Sequence, residues 1–140
     1  GIPAYTWANV IAYNSAKYTA ETAPQTWAEF WDTDKFPEER SFYKFPYQTL
    51  EVALLADGVS KDELYPLDVD RALKSLDKIK DKVSTWWESG AQPQQMLSSG
   101  QVDLISAWAG RINSAKAEGS QVDIVMNQAI IVTDSWVVPN

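Results

Sequence analysis

The run AWAGRIN, residues 107–113, places Arg111 in what the pattern predicts to be the first turn of a helix, directly after a strand. A cation is disfavoured there by about 0.3–1 kcal/mol, because unpaired backbone N–H groups and the helix dipole already gather positive charge at that end. A nearby anion would offset the repulsion and be held by the same groups. Further on, Asp134 interrupts the apolar run AIIVTDSWVV, and it too falls just past a predicted strand, with Trp108 and Trp136 close to the two charges in sequence. An arginine fork suits a carboxylate, an aspartate neutralises an ammonium, and indole faces attract ammonium groups by cation–π contact. These are the means of holding a small charged solute. The competing reading is structural: Arg111 pairs with Asp134 or another acid and pins a loop, while Trp108 belongs to the core.

Catalysis fits the composition poorly. The chain has no histidine and no cysteine, which removes the commonest general base, thiol nucleophiles, disulfides and most zinc sites, so neither a metal nor a cofactor is expected. With 140 residues, 45% hydrophobic and 22% charged, it can bury one sizeable core, and one domain over residues 1–140 is expected. A net charge of −7 argues against nucleic acid and anionic membrane surfaces as partners. The opening GIPAYTWANVIAYN shows neither an initiator methionine nor a basic-then-apolar leader, and no uninterrupted apolar run reaches membrane-spanning length of about 18 residues. The expectation is a soluble, processed or excised piece.

The elements that must position these residues follow from capping and periodicity. In PQTWAEFWDTDKFP, Thr26 with Glu29 makes a capping box for a short helix that Pro37 should end. RSFYKFPYQTLEVALLADGVS starts extended and turns helical around Leu50, Ala53 and Leu54, with the break near Pro46 and Gly58 as the stop. LDVDRALKSLDKIKDKV carries a helical stripe through Val69, Ala72, Leu73, Leu76, Ile79 and Val83, with Asp68 as N-cap. Three strand-like runs follow, VSTWW, QVDLISAW and QVDIVM, separated by helical segments that close at Gly100 and Gly119. Strand–helix alternation predicts an α/β fold with a central, mostly parallel sheet flanked by helices, and ligands bind beyond the carboxyl ends of such strands. Trp108 to Arg111 lies at such an end. Trp86 and Trp87, adjacent on a strand, must face opposite sides, and Ser89-Gly90 opens a second helix whose N-terminus suits an anion or polar group. AIIVTDSWVVPN reads as one or two extended runs broken at Thr133-Asp134-Ser135.

The runs LEVALLADGVSKDELYPLDVDRALKSLDKIK, WWESGAQPQQMLSSGQVDLISAWAGRI and NQAIIVTDSWVVP resemble the second lobe of extracytoplasmic solute-binding proteins of the spermidine/putrescine ABC-transporter type, over nearly the whole chain. The resemblance implies a single lobe of a two-lobe, hinge-closing receptor, periplasmic or extracytoplasmic, that delivers a solute to a membrane permease without chemistry. It implies that the chain ends lie together at the hinge and that the first lobe is a partner. Carried over by position, Trp108 matches the family's aromatic in the W-x-G corner and Asp134 the acid that receives an ammonium. Tyr47 and Gln48 fall where polyamine binders place acids. The departure is informative: KFPYQT has no acid, and Arg111 stands where relatives that bind diamines can carry one. One cation-seeking and one anion-seeking residue favour a short zwitterionic amino acid such as γ-aminobutyrate over a polyamine. An isolated interaction module that self-associates through a former cleft wall is the remaining alternative. Iron capture, which relies on a tyrosine pair, is disfavoured because no two tyrosines are adjacent.

Overall fold

The computed structural model describes residues 1–138. Its strands are β1 (Ile2–Asn14), β2 (Arg40–Tyr43), β3 (Val83–Trp87), β4 (Leu104–Trp108) and β5 (Val122–Trp136). The helices are α1 (Trp27–Trp31), α2 (Pro46–Ala56), α3 (Val69–Ile79), α4 (Ala91–Ser98) and α5 (Ala109–Ala117). The strands form one sheet in the order β3-β2-β4-β1-β5. β2 runs parallel to β3 and β4, while β1 is antiparallel to β4 and β5, so the sheet is mixed. The parallel part coincides with the strand–helix alternation of the sequence. The antiparallel part enters through GIPAYTWANVIAYN, to which the pattern-based reading above assigns no element. That run does not alternate: Ile2 to Thr6 are exposed whichever way they point, and Ala8 to Tyr13 are all buried.

Helices cover both faces. Ile11, Tyr13, Phe42 and Leu104 join the core beneath α1, α2 and α3, whereas Ala12, Ile105, Ala107 and Val122 join the core beneath α4 and α5. Consecutive strand residues reach opposite cores because their side chains alternate across the sheet. Trp86 and Trp87 obey the same rule: Trp87 is fully buried, and Trp86 is 38% exposed against Phe42. From β2 the chain crosses to β3 by way of α2 and α3, then returns across β2 to β4 by way of α4 on the other face. The carboxyl ends of β2 and β4 therefore flank a topological switch point, where open α/β sheets place their ligands.

Local signals hold with particular amendments. The Thr26 hydroxyl accepts the Glu29 N–H at 3.1 Å, and the Glu29 carboxylate reaches back to the Gln25 N–H at 2.6 Å. α1 nevertheless ends at Trp31, well before Pro37, where the Asp32 N–H closes on the Glu29 carbonyl. Asp68 caps α3 by accepting the Arg71 N–H at 3.0 Å. Val83, the last member of the predicted stripe, belongs to β3, because a tight turn at Lys80–Lys82 ends the helix first.

The break expected at Thr133-Asp134-Ser135 does not occur, and Asp134 is on a strand, not a loop. Pairing with β1 continues through these residues to Ile2↔Trp136, with the Thr6 and Thr133 hydroxyls 3.1 Å apart. The polar residues interrupt hydropathy without ending the strand, although one residue of β1 bulges opposite Asp134 and Ser135. A larger irregularity lies earlier in β5, where the register jumps from Ile11↔Val125 to Asn9↔Ile130 and Gln128 takes φ 58°. Gln128 uses its side-chain oxygen to accept the Trp27 N–H at 2.8 Å and its carbonyl to accept the Trp27 indole N–H at 3.0 Å. The bulge thus caps α1. The two ends of the chain run side by side on β1 and β5; Pro139 and Asn140 lie outside the described residues.

Candidate functional site

The end of β4 and the start of α5 share a corner at Trp108, the N-cap of α5. Trp108 supplies no side-chain cap, and the first turn of α5 contains no acid, so its backbone N–H groups are left for an outside acceptor. Arg111 lies in that turn and is exposed. Antiparallel pairing brings the first half of β1 and the last residues of β5 to the same end of the sheet, where Asn9 lies opposite Trp108 and Tyr5 opposite Asp134. One residue, Ala4, is extra on β1 between the pairs Pro3↔Ser135 and Tyr5↔Asp134, and this bulge sets the register of the end that carries Tyr5 and Trp7.

An open cavity of about 490 Å3 results, lined by Tyr5, Trp7 and Trp108 on its aromatic side and by Gly110, Arg111, Ser114 and Asp134. Asp134 is held by Trp7, whose indole N–H donates to its carboxylate at 2.9 Å. The same carboxylate acts on Tyr5, whose phenol is pushed above its ordinary pKa by a hydrogen bond to Asp134 and by its negative charge. Among the described residues no ion pair joins Arg111 to Asp134 or to any other acid. The loop-pinning alternative thus finds no contact to rest on.

The aromatic wall is a packed assembly. Trp108 meets Trp7 at 5.2 Å, Trp87 at 5.2 Å and Tyr43 at 5.6 Å between ring centroids, all edge-to-face. Its ring also lies over Gly90, where a Cβ would fall 2.7 Å from it and 3.3 Å from the Arg111 Nε. Gly90 therefore admits the indole and the guanidinium stem together. The Ser89-Gly90 segment contributes by closeness of approach, while the N–H groups of Glu88 and Ser89 go to the Gln92 side chain at 2.6 and 2.9 Å.

The remaining predicted site residues stand beside the cavity. Tyr47, half exposed, meets Trp7 edge-to-face at 6.4 Å. Gln48 is buried, and its side-chain oxygen accepts the Trp108 indole N–H at 3.3 Å. Both occupy a kink in the first turn of α2, where Gln48 adopts φ 68°, a left-handed conformation that costs a non-glycine residue about 1–2 kcal/mol. Trp136, placed near the charges by sequence, is 73% exposed at the ribbon's end. Tyr5 and Trp7 were not anticipated. The available signal was the aromatic pair two positions apart, which shares one side of any strand, but only long-range pairing with β5 brings it to Asp134.

The fold is thus a mixed-sheet α/β domain with an open aromatic cavity that carries Arg111 and Asp134 on its wall. The chain belongs to the bacterial extracellular solute-binding protein family, which it matches over residues 1–140. It is 43% identical over 143 residues to the gamma-aminobutyric acid-binding protein of Pseudomonas aeruginosa, covering 99% of this chain and 40% of that one. The crystal structure of an ABC transporter from Rhodopseudomonas palustris superposes with a TM-score of 0.87 at 43% identity over 91% of this chain and 38% of the other. A structure described as the Atu4243–GABA receptor gives 0.82 at 42% identity over 91% and 39%. The chain spans about 40% of the length of these relatives. A spermidine/putrescine-binding protein of Streptococcus pneumoniae shares the fold, with a TM-score of 0.74, at only 14% identity.

Proposed function

We propose that this chain is one lobe of an extracytoplasmic ABC-transporter receptor and that its cleft captures a short zwitterionic amino acid, with γ-aminobutyrate favoured. The observation that carries the reading is that Arg111 and Asp134 line one cavity without pairing with each other. Arg111 and the uncapped first turn of α5 hold the carboxylate, which converts an unfavourable cation position into shared anion binding. Asp134, braced by Trp7, takes the ammonium, and Trp108 packs along the ligand's methylene chain. Gln48 and Tyr47 orient the two indoles. No bond is made or broken; the ligand is held and passed to a membrane permease, with a second lobe closing over it from the hinge where β1 begins and β5 ends.

Relatives over 40% identical whose descriptions name γ-aminobutyrate support the same choice. A polyamine is less well served, because Asp134 is the one acid lining the cavity. Calorimetric titration of the protein at the family's full length, with Arg111→Ala beside it, tests the assignment. γ-Aminobutyrate should bind and lose on the order of 2–5 kcal/mol with the variant, since its desolvated carboxylate is left unpaired. Putrescine binding that survives or improves in Arg111→Ala, with no short amino acid bound by either form, would return the cleft to the polyamine reading.

A further inference from the structure

We infer that the ammonium end of this cleft accepts N-methylated amino carboxylates, secondary through quaternary, as readily as primary amines. The inference rests on the amino-carboxylate reading above and concerns which nitrogen substituents that site tolerates. A primary ammonium brings three N–H donors, each of which must find an acceptor once water is stripped away. The cavity wall offers few. Asp134 is the one carboxylate, and it already accepts the Trp7 indole N–H at 2.9 Å. Ser114 is the other lining side chain with a hydroxyl outside the aromatic wall. Its hydroxyl donates to the Gly110 carbonyl at 3.0 Å and keeps its acceptor lone pairs, but it sits on α5 three residues beyond Arg111, at the anion's end.

What surrounds Asp134 instead is aromatic surface. Tyr5 lies opposite it across the strand pair, Trp7 contacts it, and Trp108 meets Trp7 edge-to-face at 5.2 Å. N–H groups turned toward these rings are poorly paired, whereas N-methyl groups fill the same positions with apolar contact. The charge persists in either case, so its attraction to Asp134 and to the ring faces is retained. The cavity, at about 490 Å3, has room for the added methyls.

The test titrates the 140-residue chain, its fold checked by near-ultraviolet circular dichroism, with four ligands followed by tryptophan fluorescence or ligand-observed NMR. These are γ-aminobutyrate and its N-methyl, N,N-dimethyl and N,N,N-trimethyl derivatives. The expected result is that all four dissociation constants fall within about fivefold of one another. Trp7→Phe, which keeps a ring but returns an acceptor to Asp134, should shift the ranking severalfold toward the primary amine. Binding of γ-aminobutyrate with a loss of more than tenfold at the first or second methyl would overturn this inference and leave the amino-carboxylate reading standing. Silence from all four ligands in the protein at the full length of its relatives, titrated alongside, would remove both.

Discussion

Gly90 separates conformational from steric demand at a single residue. Its φ of −63° is open to any amino acid, and alanine would ordinarily suit the start of a helix. A Cβ there nevertheless falls 2.7 Å from the Trp108 ring. Gly90→Ala should therefore leave α4 intact by circular dichroism, displace Trp108, and weaken ligand binding by tenfold or more in calorimetry. Unchanged affinity would mean that Trp108 does not shape the cleft. Arg40 makes a complementary case far from the ligand. It is fully buried yet has no ion pair among the described residues, its guanidinium donating to the carbonyls of Phe30 at 3.0 Å, Asp32 at 3.3 Å and Glu38. Arg40→Met keeps the bulk and strands those acceptors, so a loss of about 2–4 kcal/mol is expected in denaturant titration. At this scale the sequence spoke clearly only where a residue contradicts its local setting. Arg111 in a helix N-terminus and Asp134 in an apolar run announced themselves; Trp7 did not, because an aromatic residue in a strand looks like core until its partner strand is known.

The packing of α2 against α3 shows how elements are tied by charge as well as by apolar contact. Asp57, the C-cap of α2, receives Lys78 at 2.6 Å and Arg71 at 2.7 Å, both from α3. Hydrogen bonds from Lys78 first and Arg71 second hold its carboxyl below the ordinary value of 3.8. A depressed carboxylate contributes stability that is fully present above that value and is lost as pH falls through the lower, folded one. Asp57→Asn should therefore flatten the acid limb of the stability–pH curve below about pH 4 and cost no more than about 1 kcal/mol at neutral pH, because both cations are exposed. Stability profiles of the two proteins that stay parallel into acid would show that the pair contributes nothing. The helices and the β2–β3–β4 frame were legible for a related reason: caps, glycine stops and periodicity are local. β1 was not, since it is exposed on both sides in one half and buried on both in the other. The bulge at Gln128 was equally hidden, because the reason for its left-handed backbone is the end of α1, about a hundred residues away in sequence.

The cleft as a whole is one open wall. Its aromatic and charged residues come from β1, β4, α5 and β5, and all lie on the same end of a single sheet, so a solute resting there keeps part of its surface in water. Binding must also offset the loss of translational and rotational freedom, which is the same whether one wall or two make contact. A ligand as small as γ-aminobutyrate can supply only a limited free energy per atom, and a one-sided site leaves much of it unused. A dissociation constant of 1 mM corresponds to about −4.1 kcal/mol, and each further tenfold requires about 1.4 kcal/mol, which desolvation by an opposing lobe would provide. The 140-residue chain should accordingly bind γ-aminobutyrate no tighter than about millimolar, whereas the protein at the full length of its relatives should bind at least a hundredfold more tightly. Parallel calorimetric titrations decide it. Micromolar affinity in the 140-residue chain would mean that this wall alone supplies nearly all of the binding free energy.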